Sequence, residues 1–306
     1  MEVEKHNQRF QPPLRSNADD DDELCPINRD LTNCEAQFDR YQWMREIGKN
    51  KGAYGVIYEV YNKKRQHLTA LKVQVYLETF PSARARCDAE MIIACRVSGL
   101  AGFLRLYDYW ICDVWPQDHV FRRSAKKTHL ADQRKLFYIE MQLAAGTQQD
   151  LIDERTPLSR IDKLYFFFEY VFALNRGYKE LGFVHGDVKP DNIFYVINER
   201  PRLYTMDDDD RTQLLCRSPI QPLVADFGSS NLGRRGLADD TDRIVMSIEE
   251  WGSRVLRIGI NMMQYLRVQQ NHDQFLVLIH NKIVELEERE DDEKAAAPNF
   301  SSASSL

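Results

Sequence analysis

The chain has 306 residues, of which 43% are hydrophobic and 29% are charged, as in ordinary globular proteins. Its formal net charge of −6 disfavours a nucleic-acid-binding protein that grips phosphates through a broad basic surface. No apolar run approaches the roughly 20 residues that a membrane helix needs, so a membrane protein is not expected either.

The cysteines indicate an intracellular protein. No pair of them has the Cys-x-x-Cys spacing of a zinc knuckle or a redox pair. Residues 1–20 are polar throughout, unlike a signal peptide. We therefore expect reduced thiols and a location in the cytoplasm or nucleus. The cysteines concerned are Cys25, Cys34, Cys87, Cys95, Cys112 and Cys216.

Both ends of the chain are predicted to be flexible tails. Residues 1–37 are polar and acidic, and residues 285–306 combine a charged stretch with Ala, Ser and Pro. Such charge runs repel themselves and seldom pack. The ordered domain is therefore expected over residues 38–284.

The first half of this domain is predicted to be mostly β. Tyr54–Tyr61 and Thr69–Tyr76 are rich in Val, Ile and Tyr, and the polar turn between them predicts a hairpin. Ala83–Val97 is typical of a helix, and Phe103–Val114 and Leu136–Leu143 are typical of two further strands. A β-rich N-terminal part with one helix follows.

The second half is predicted to be helical. Apolar residues recur at steps of three and four from Leu164 to Leu181, and Gly182 ends this helix. A similar stripe runs from Ile244 to Leu266, and Val277–Ile283 predicts a last helix. Residues 198–222 have no period, an acidic run and several prolines, so they predict an irregular surface insertion.

A glycine-containing segment separates the first two strands. Gly48, Gly52 and Gly55 would let backbone N–H groups approach phosphate oxygens closely. A plain hairpin turn is the alternative interpretation. Gly52, Gly55 and Ile57 fit the second half of the pattern G-x-G-x-x-G-x-V, but Asn50 stands where the first glycine would be.

A lysine lies inside the next apolar strand. Lys72 follows Ala70 and Leu71, and a buried lysine is costly unless its charge is paired. Glu90, in the predicted helix that follows, is the natural partner. The alternative is that Lys72 points outward from an edge strand.

The most specific pattern is Val-His-Gly-Asp-Val-Lys-Pro-Asp-Asn-Ile-Phe, from Val184 to Phe194. In this register Asp187 can orient a substrate hydroxyl, Lys189 can neutralise a phosphate, and Asn192 can hold a metal ion. A turn with accidental polar residues would rarely supply this set. Later in the chain, the short apolar strand before Asp226 places this carboxylate where it could bind magnesium.

These segments, in this order, resemble the eukaryotic protein kinase superfamily over about residues 47–228. The resemblance implies a two-lobed α+β fold, with a β-rich N-lobe (38–142) and a reduced helical C-lobe (143–284), that binds ATP and Mg²⁺ and phosphorylates a serine or threonine of a protein substrate. The resemblance implies that Asp187 and Lys189 are catalytic and that Asn192 and Asp226 bind metal. It also implies that His185 and Phe227 join the lobes. The residues that would bind the nucleotide are Gly48, Gly52, Gly55, Ile57, Ala70, Lys72, Glu90, Met141, Leu143 and Phe194.

The chain departs from the family pattern in several places. Gly186 replaces the arginine of His-Arg-Asp, no Ala-Pro-Glu follows Gly228, and Asp242 is the candidate for the aspartate that supports the catalytic loop. His-Gly-Asp with Val-Lys resembles the vaccinia-related kinases, and Lys-Pro-Asp-Asn resembles casein kinase 1. The compact C-terminal half is compatible with a divergent viral kinase acting in a host cell.

Two other functions stay open at this point. The altered glycine segment and the short C-terminal half are compatible with a pseudokinase or scaffold that binds partners without turnover. A small-molecule phosphotransferase of the aminoglycoside or choline type would share His-Gly-Asp and the later asparagine, although Lys189 follows the protein-kinase pattern. The sequence carries no signal for the oligomeric state.

Overall fold

The computed structural model describes residues 34–47, 55–76, 81–112, 135–206, 213–233, 237–250 and 272–296. Within them the protein is α+β, with a sheet-rich N-terminal part followed by a part that contains the longer helices and two small sheets. None of the helices in these ranges is long and apolar enough to cross a membrane.

The N-terminal part is a five-stranded antiparallel sheet in the order β1-β2-β3-β5-β4. The predicted hairpin is confirmed, because β2 pairs with β3 along its length. A short helix precedes the sheet. The bounds are α1 Glu35–Phe38, β1 Tyr41–Ile47, β2 Gly55–Asn62, β3 His67–Val75, β4 Leu106–Cys112 and β5 Leu136–Gln142.

Successive side chains along each strand point to opposite faces of the sheet, and both faces are covered. One face carries aromatic side chains, including Tyr58, Trp110 and Tyr138, and packs against Cys34 and Phe38 from the segment before β1. The other face packs against helix α2, Pro81–Val97, and its cluster continues into the C-terminal part. One apolar core therefore joins the sheet to the rest of the molecule.

The central helix of the C-terminal part is α4, Arg160–Leu181, which follows the short helix α3, Gln148–Asp153. The Ser159 hydroxyl accepts the N–H of Asp162 at its start, and Gly182 ends it in a left-handed conformation, as predicted. Its residues from Leu164 to Val171 are all buried, and five of these eight are aromatic, so this part of α4 lies in the core.

A three-stranded sheet in the order β10-β7-β6 lies beside α4. Its strands are β6 Gly146–Thr147, β7 Ile193–Ile197 and β10 Ile220–Val224, and a 3-10 turn, Pro190–Asn192, leads into β7. This sheet is tied to the N-terminal part, because Leu104 donates its N–H to the Val224 carbonyl at 2.9 Å.

The prediction of an irregular insertion over 198–222 is wrong for the residues described. The segment contains a hairpin of β8, Arg202–Thr205, and β9, Gln213–Cys216, and its last residues belong to β10. Arg202 pairs with Glu169 of α4, which fixes the hairpin to the core. Residues 207–212 lie outside the described ranges. The two short strands were not predicted, because the acidic run and the prolines of this segment are typical of loops.

Two helices complete the described chain. The helix predicted from Ile244 to Leu266 is confirmed as far as Glu250, within α5, Leu237–Glu250, which begins seven residues earlier than predicted. The rest of the predicted stripe lies outside the described residues. The last helix, α6, runs from His272 to Ala296, so the boundary predicted at residue 284 is wrong and part of the expected tail is helical. Lys282 and Arg289 pair with Glu285 along α6, which offsets the charge repulsion expected there.

The expectation that all thiols are reduced is also wrong. Cys34 and Cys112 form a disulfide across 78 residues of sequence, with their Cα atoms 6.0 Å apart, and Cys95 is disulfide-bonded as well. Cys87 and Cys216 are free. Sequence spacing could not reveal a bond that forms only because the N-terminal segment crosses the sheet next to β4.

Candidate functional site

Lys72 and Glu90 form an ion pair between the sheet and α2. Lys72 Nζ lies 3.6 Å from Glu90 Oε1, and both side chains are largely buried, at 26% and 16% exposed. Lys72 therefore faces the interior of the molecule, and the alternative of an outward-pointing lysine is wrong. The pair leaves a partly buried cation between the sheet and α2, where it could hold an anionic ligand, and we refer to the space beside this pair as the cleft.

His185 is the buried anchor of the loop that follows α4. Its Nε2–H donates to the Ala225 carbonyl at 2.8 Å, and Nδ1 accepts the N–H of Asp187 at 3.2 Å. Burial lowers the pKa of His185, and the two contacts require the neutral ring with its proton on Nε2. The ring thereby links the loop of Asp187 to the strand end that carries Asp226.

Asp187 lies at the centre of a hydrogen-bonded cluster. Oδ2 accepts from Lys189 Nζ at 2.6 Å and from Asn192 Nδ2 at 3.1 Å, and Oδ1 accepts from Arg243 Nη1 at 2.9 Å. Partial burial by itself raises the pKa of Asp187, but Lys189, Asn192 and Arg243 together hold it below its usual value. The carboxylate is therefore ionised at neutral pH and fixed in orientation.

The amide of Asn192 has a defined orientation. Its nitrogen donates to the backbone carbonyl of Asp187 at 2.9 Å and to the Asp187 carboxylate. Both partners are acceptors, so nitrogen must face them and the amide oxygen must point the other way. The Ala225 N–H donates to the Asn192 carbonyl at 3.1 Å, which brings the residue next to Asp226.

Asp226 lies where the strand β10 ends, with a positive φ of 60°. A Cβ placed at Gly228 would lie 3.5 Å from Asp226 Oδ1 and 3.8 Å from Glu90 Oε2, so both carboxylates flank this glycine. The structure therefore brings together the predicted residues Lys72, Glu90 and Asp226, although they come from three separate segments of the chain.

The predicted apolar ligands of the cleft share one side of the sheet. Ile57 is paired with Lys72, and Ala70 is paired with Met141, so these side chains lie on the same face. Met141 and Phe194 pack against the same small cluster. Leu143 lies in the short connection after β5, Gly55 begins β2, and Gly48 and Gly52 lie outside the described residues.

The aspartate assigned from the sequence to the support of the loop that carries Asp187 is the wrong one. Asp240, and not the exposed Asp242, accepts the N–H of His185 at 2.6 Å and of Gly186 at 2.7 Å. Both lie in the sequence Asp-Asp-Thr-Asp, and only the phase of α5 decides which one is buried. Arg243 was missed as well, because nothing in the sequence links it to Asp187.

An aromatic cluster joins this loop to the sheet. The rings of Phe103, Phe183, His185 and Phe227 lie about each other with centroids 5.3 to 6.3 Å apart. Phe103 belongs to the segment just before β4, and Phe227 follows Asp226. Phe227 therefore contacts both His185 of the loop and Phe103 of the segment before β4.

The described residues contain no group of three or more His, Cys, Asp or Glu side chains arranged to hold a metal ion. Comparison with models of known protein families gives no match, and comparison with curated protein sequences gives no significant similarity. The case for a function therefore rests on the geometry of the residues described above.

Proposed function

We propose that the protein is an ATP-dependent serine/threonine protein kinase with a two-lobed kinase fold. The observation that carries the proposal is the convergence on one cleft of the Lys72–Glu90 pair with Asp187, Asn192 and Asp226. A cation on the sheet, together with an ionised and oriented carboxylate on a loop, supplies the groups needed for phosphoryl transfer between a nucleotide and a hydroxyl group.

In this proposal each polar residue has a separate task. Asp187 would accept a hydrogen bond from the acceptor hydroxyl and orient its oxygen for attack. Lys189 now pairs with Asp187 and has a half-exposed ammonium group, which could turn to the phosphate being transferred. Lys72, fixed by Glu90, would hold the non-transferred phosphates, as its position inside the cleft supports.

The residues of the cleft fit Mg²⁺ and ATP. Magnesium in such sites uses one or two protein ligands together with phosphate oxygens and water, so a complete protein cage is not expected. Asn192 offers its amide oxygen and Asp226 its carboxylate. The bound ion would neutralise charge on the phosphates. Ile57, Ala70, Met141, Leu143 and Phe194 would enclose the adenine.

The contacts of Lys189 favour a protein kinase over the small-molecule alternative. Its ammonium lies 2.6 Å from Asp187, two residues away, in the position expected of serine/threonine kinases. The intact polar set also supports turnover, because a scaffold would have no physical need for a carboxylate held on both oxygens. The proposed partner is accordingly a protein substrate.

The test is transfer of labelled γ-phosphate to casein, myelin basic protein and the protein itself, with magnesium. We expect transfer by the wild type and its loss in Asp187→Asn, which removes the charge and keeps the shape. Asp153→Asn is the matched control, since Asp153 is an exposed carboxylate on α3 bonded only locally to Gln149. Transfer to small alcohols but not to proteins would favour the phosphotransferase.

Nucleotide binding separates a pseudokinase from an enzyme. Lys72→Met removes the charge that Glu90 fixes in the cleft, so we expect its affinity for Mg–ATP to fall about 10-fold or more, as for loss of a charged hydrogen bond. Nucleotide binding by the wild type without transfer to any acceptor would establish the pseudokinase. No nucleotide binding at all would contradict the kinase and leave the scaffold that binds partners.

A further inference from the structure

We propose that Arg243 is a positioning residue that holds Asp187 in its productive orientation from outside the catalytic loop. The proposal rests on the proposed kinase function, because it assigns Arg243 a part in the same reaction. Arg243 Nη1 donates to Asp187 Oδ1 at 2.9 Å, while Lys189 and Asn192 occupy Oδ2. Arg243 thus contributes the contact that fixes the second oxygen of the carboxylate.

The loop itself cannot supply a cation at the position before Asp187. Gly186 has a φ of +76°, and a Cβ there would lie 2.4 Å from the backbone carbonyl oxygen of Ser229. Any side chain would collide with a backbone atom that cannot turn away. Lys189 is the cation that the loop supplies, so the second cation beside Asp187 comes from another element of the fold.

Helix α5 is that element. Asp240 accepts the backbone N–H groups of His185 and Gly186, and Arg243, three residues later and on the same helical face, reaches the side chain of Asp187. One helix therefore holds both the backbone of the loop and its carboxylate. Their relative position is set by the rigid spacing of a single helical turn.

The two cations on Asp187 differ in what they can do. Lys189 carries a compact ammonium on a flexible stem and is 45% exposed, so an incoming phosphate can attract it away from the carboxylate. Arg243 donates from a planar guanidinium attached to a helix. When Lys189 leaves, Arg243 and Asn192 remain to hold Asp187, so loss of Arg243 should affect turnover and leave nucleotide binding intact.

The first test compares Arg243→Gln and Arg243→Lys with the control Arg176→Gln. Arg176 is a similarly exposed arginine in α4, where it pairs with Glu180 of that helix. We expect kcat of Arg243→Gln to fall about 10- to 100-fold, as for a misplaced catalytic group, with an unchanged KM for ATP. Arg243→Lys should recover part of the loss, and the control should match the wild type. A kcat of Arg243→Gln equal to that of the wild type would overturn the proposal.

A second readout does not need activity. The ¹⁵N-labelled guanidinium signals of Arg243 can be assigned by their loss in Arg243→Gln and then compared between the wild type and Asp187→Asn. We expect the Arg243 signals to shift when the carboxylate charge is removed. If the wild type transfers no phosphate, the kinase function fails, and unshifted signals would separately overturn the contact on which the positioning role depends.

Discussion

Glu169 and Arg202 form a two-point ion pair between the central helix and the inserted hairpin. Nε and Nη2 of Arg202 lie 2.7 and 3.2 Å from Oε1 and Oε2 of Glu169. The Arg202 side chain is 10% exposed and the Glu169 side chain is 1% exposed. Arg202 also donates to the Ser218 carbonyl. Burial raises the pKa of Glu169, and the hydrogen bonds and charge of Arg202 act against this rise.

Arg202→Met should therefore destabilise the protein strongly. It leaves the Glu169 carboxylate buried without its counter-charge, and we expect a loss of about 3–5 kcal/mol in the free energy of unfolding. Urea denaturation measures this. Arg217→Met is the control, because Arg217 is 62% exposed and pairs with Glu287 at the surface, where about 0–1 kcal/mol is expected. Equal losses in both variants would contradict the structural role of the buried pair.

Gly186→Ala should distort the loop that carries Asp187. The positive φ and the approach of the Ser229 carbonyl leave no room for a Cβ, so we expect a loss of about 1–3 kcal/mol and reduced phosphotransfer. Gly99→Ala is the matched control, since a Cβ there meets nothing within 4 Å. Thermal denaturation compares the two. A Gly186→Ala protein as stable as Gly99→Ala would show that the loop tolerates a side chain.

Stability should decrease as the pH falls because His185 is buried in its neutral form. Burial lowers its pKa in the folded protein. Below about pH 6.5, the histidine therefore binds a proton in the unfolded chain before it does so in the folded one. The free energy of unfolding should fall by up to about 1.4 kcal/mol per pH unit between the folded-state pKa and that value. Burial raises the pKa of the neighbouring Asp240, which acts in the opposite sense.

The His185 contribution is isolated by comparing variants. Urea denaturation from about pH 7.5 to about pH 5.5 should give a shallower pH dependence for His185→Gln than for the wild type. His67→Gln, which removes an exposed ring, should keep the wild-type dependence. If the free energy of unfolding depends on pH equally in all three proteins, groups other than His185 cause the pH dependence.

Reduction of the disulfide between Cys34 and Cys112 should destabilise the N-terminal sheet. The bond closes a loop of 78 residues and ties the segment before β1 to β4. Disulfides typically contribute about 2–4 kcal/mol to the free energy of unfolding. The double variant Cys34→Ala/Cys112→Ala should show this loss, while Cys87→Ala tests a free, half-buried thiol. A wild-type midpoint unaffected by dithiothreitol would contradict the prediction.

The sequence was sufficient wherever the signal was local. The hairpin around Lys72 and the helix that ends at Gly182 follow from residue alternation and helical spacing, which need no tertiary information. The contacts of Lys189 and Asn192 with Asp187 are local as well, because the three residues belong to one short loop.

Tertiary structure decided the contacts between distant segments. The phase of α5 selected Asp240 over Asp242 and brought Arg243 to Asp187, 56 residues away. The disulfide and the Glu169–Arg202 pair likewise join segments whose proximity depends on how the core packs. Local pattern fixes which side chains lie on one face of an element, whereas the meeting of two faces depends on the packing of the whole chain.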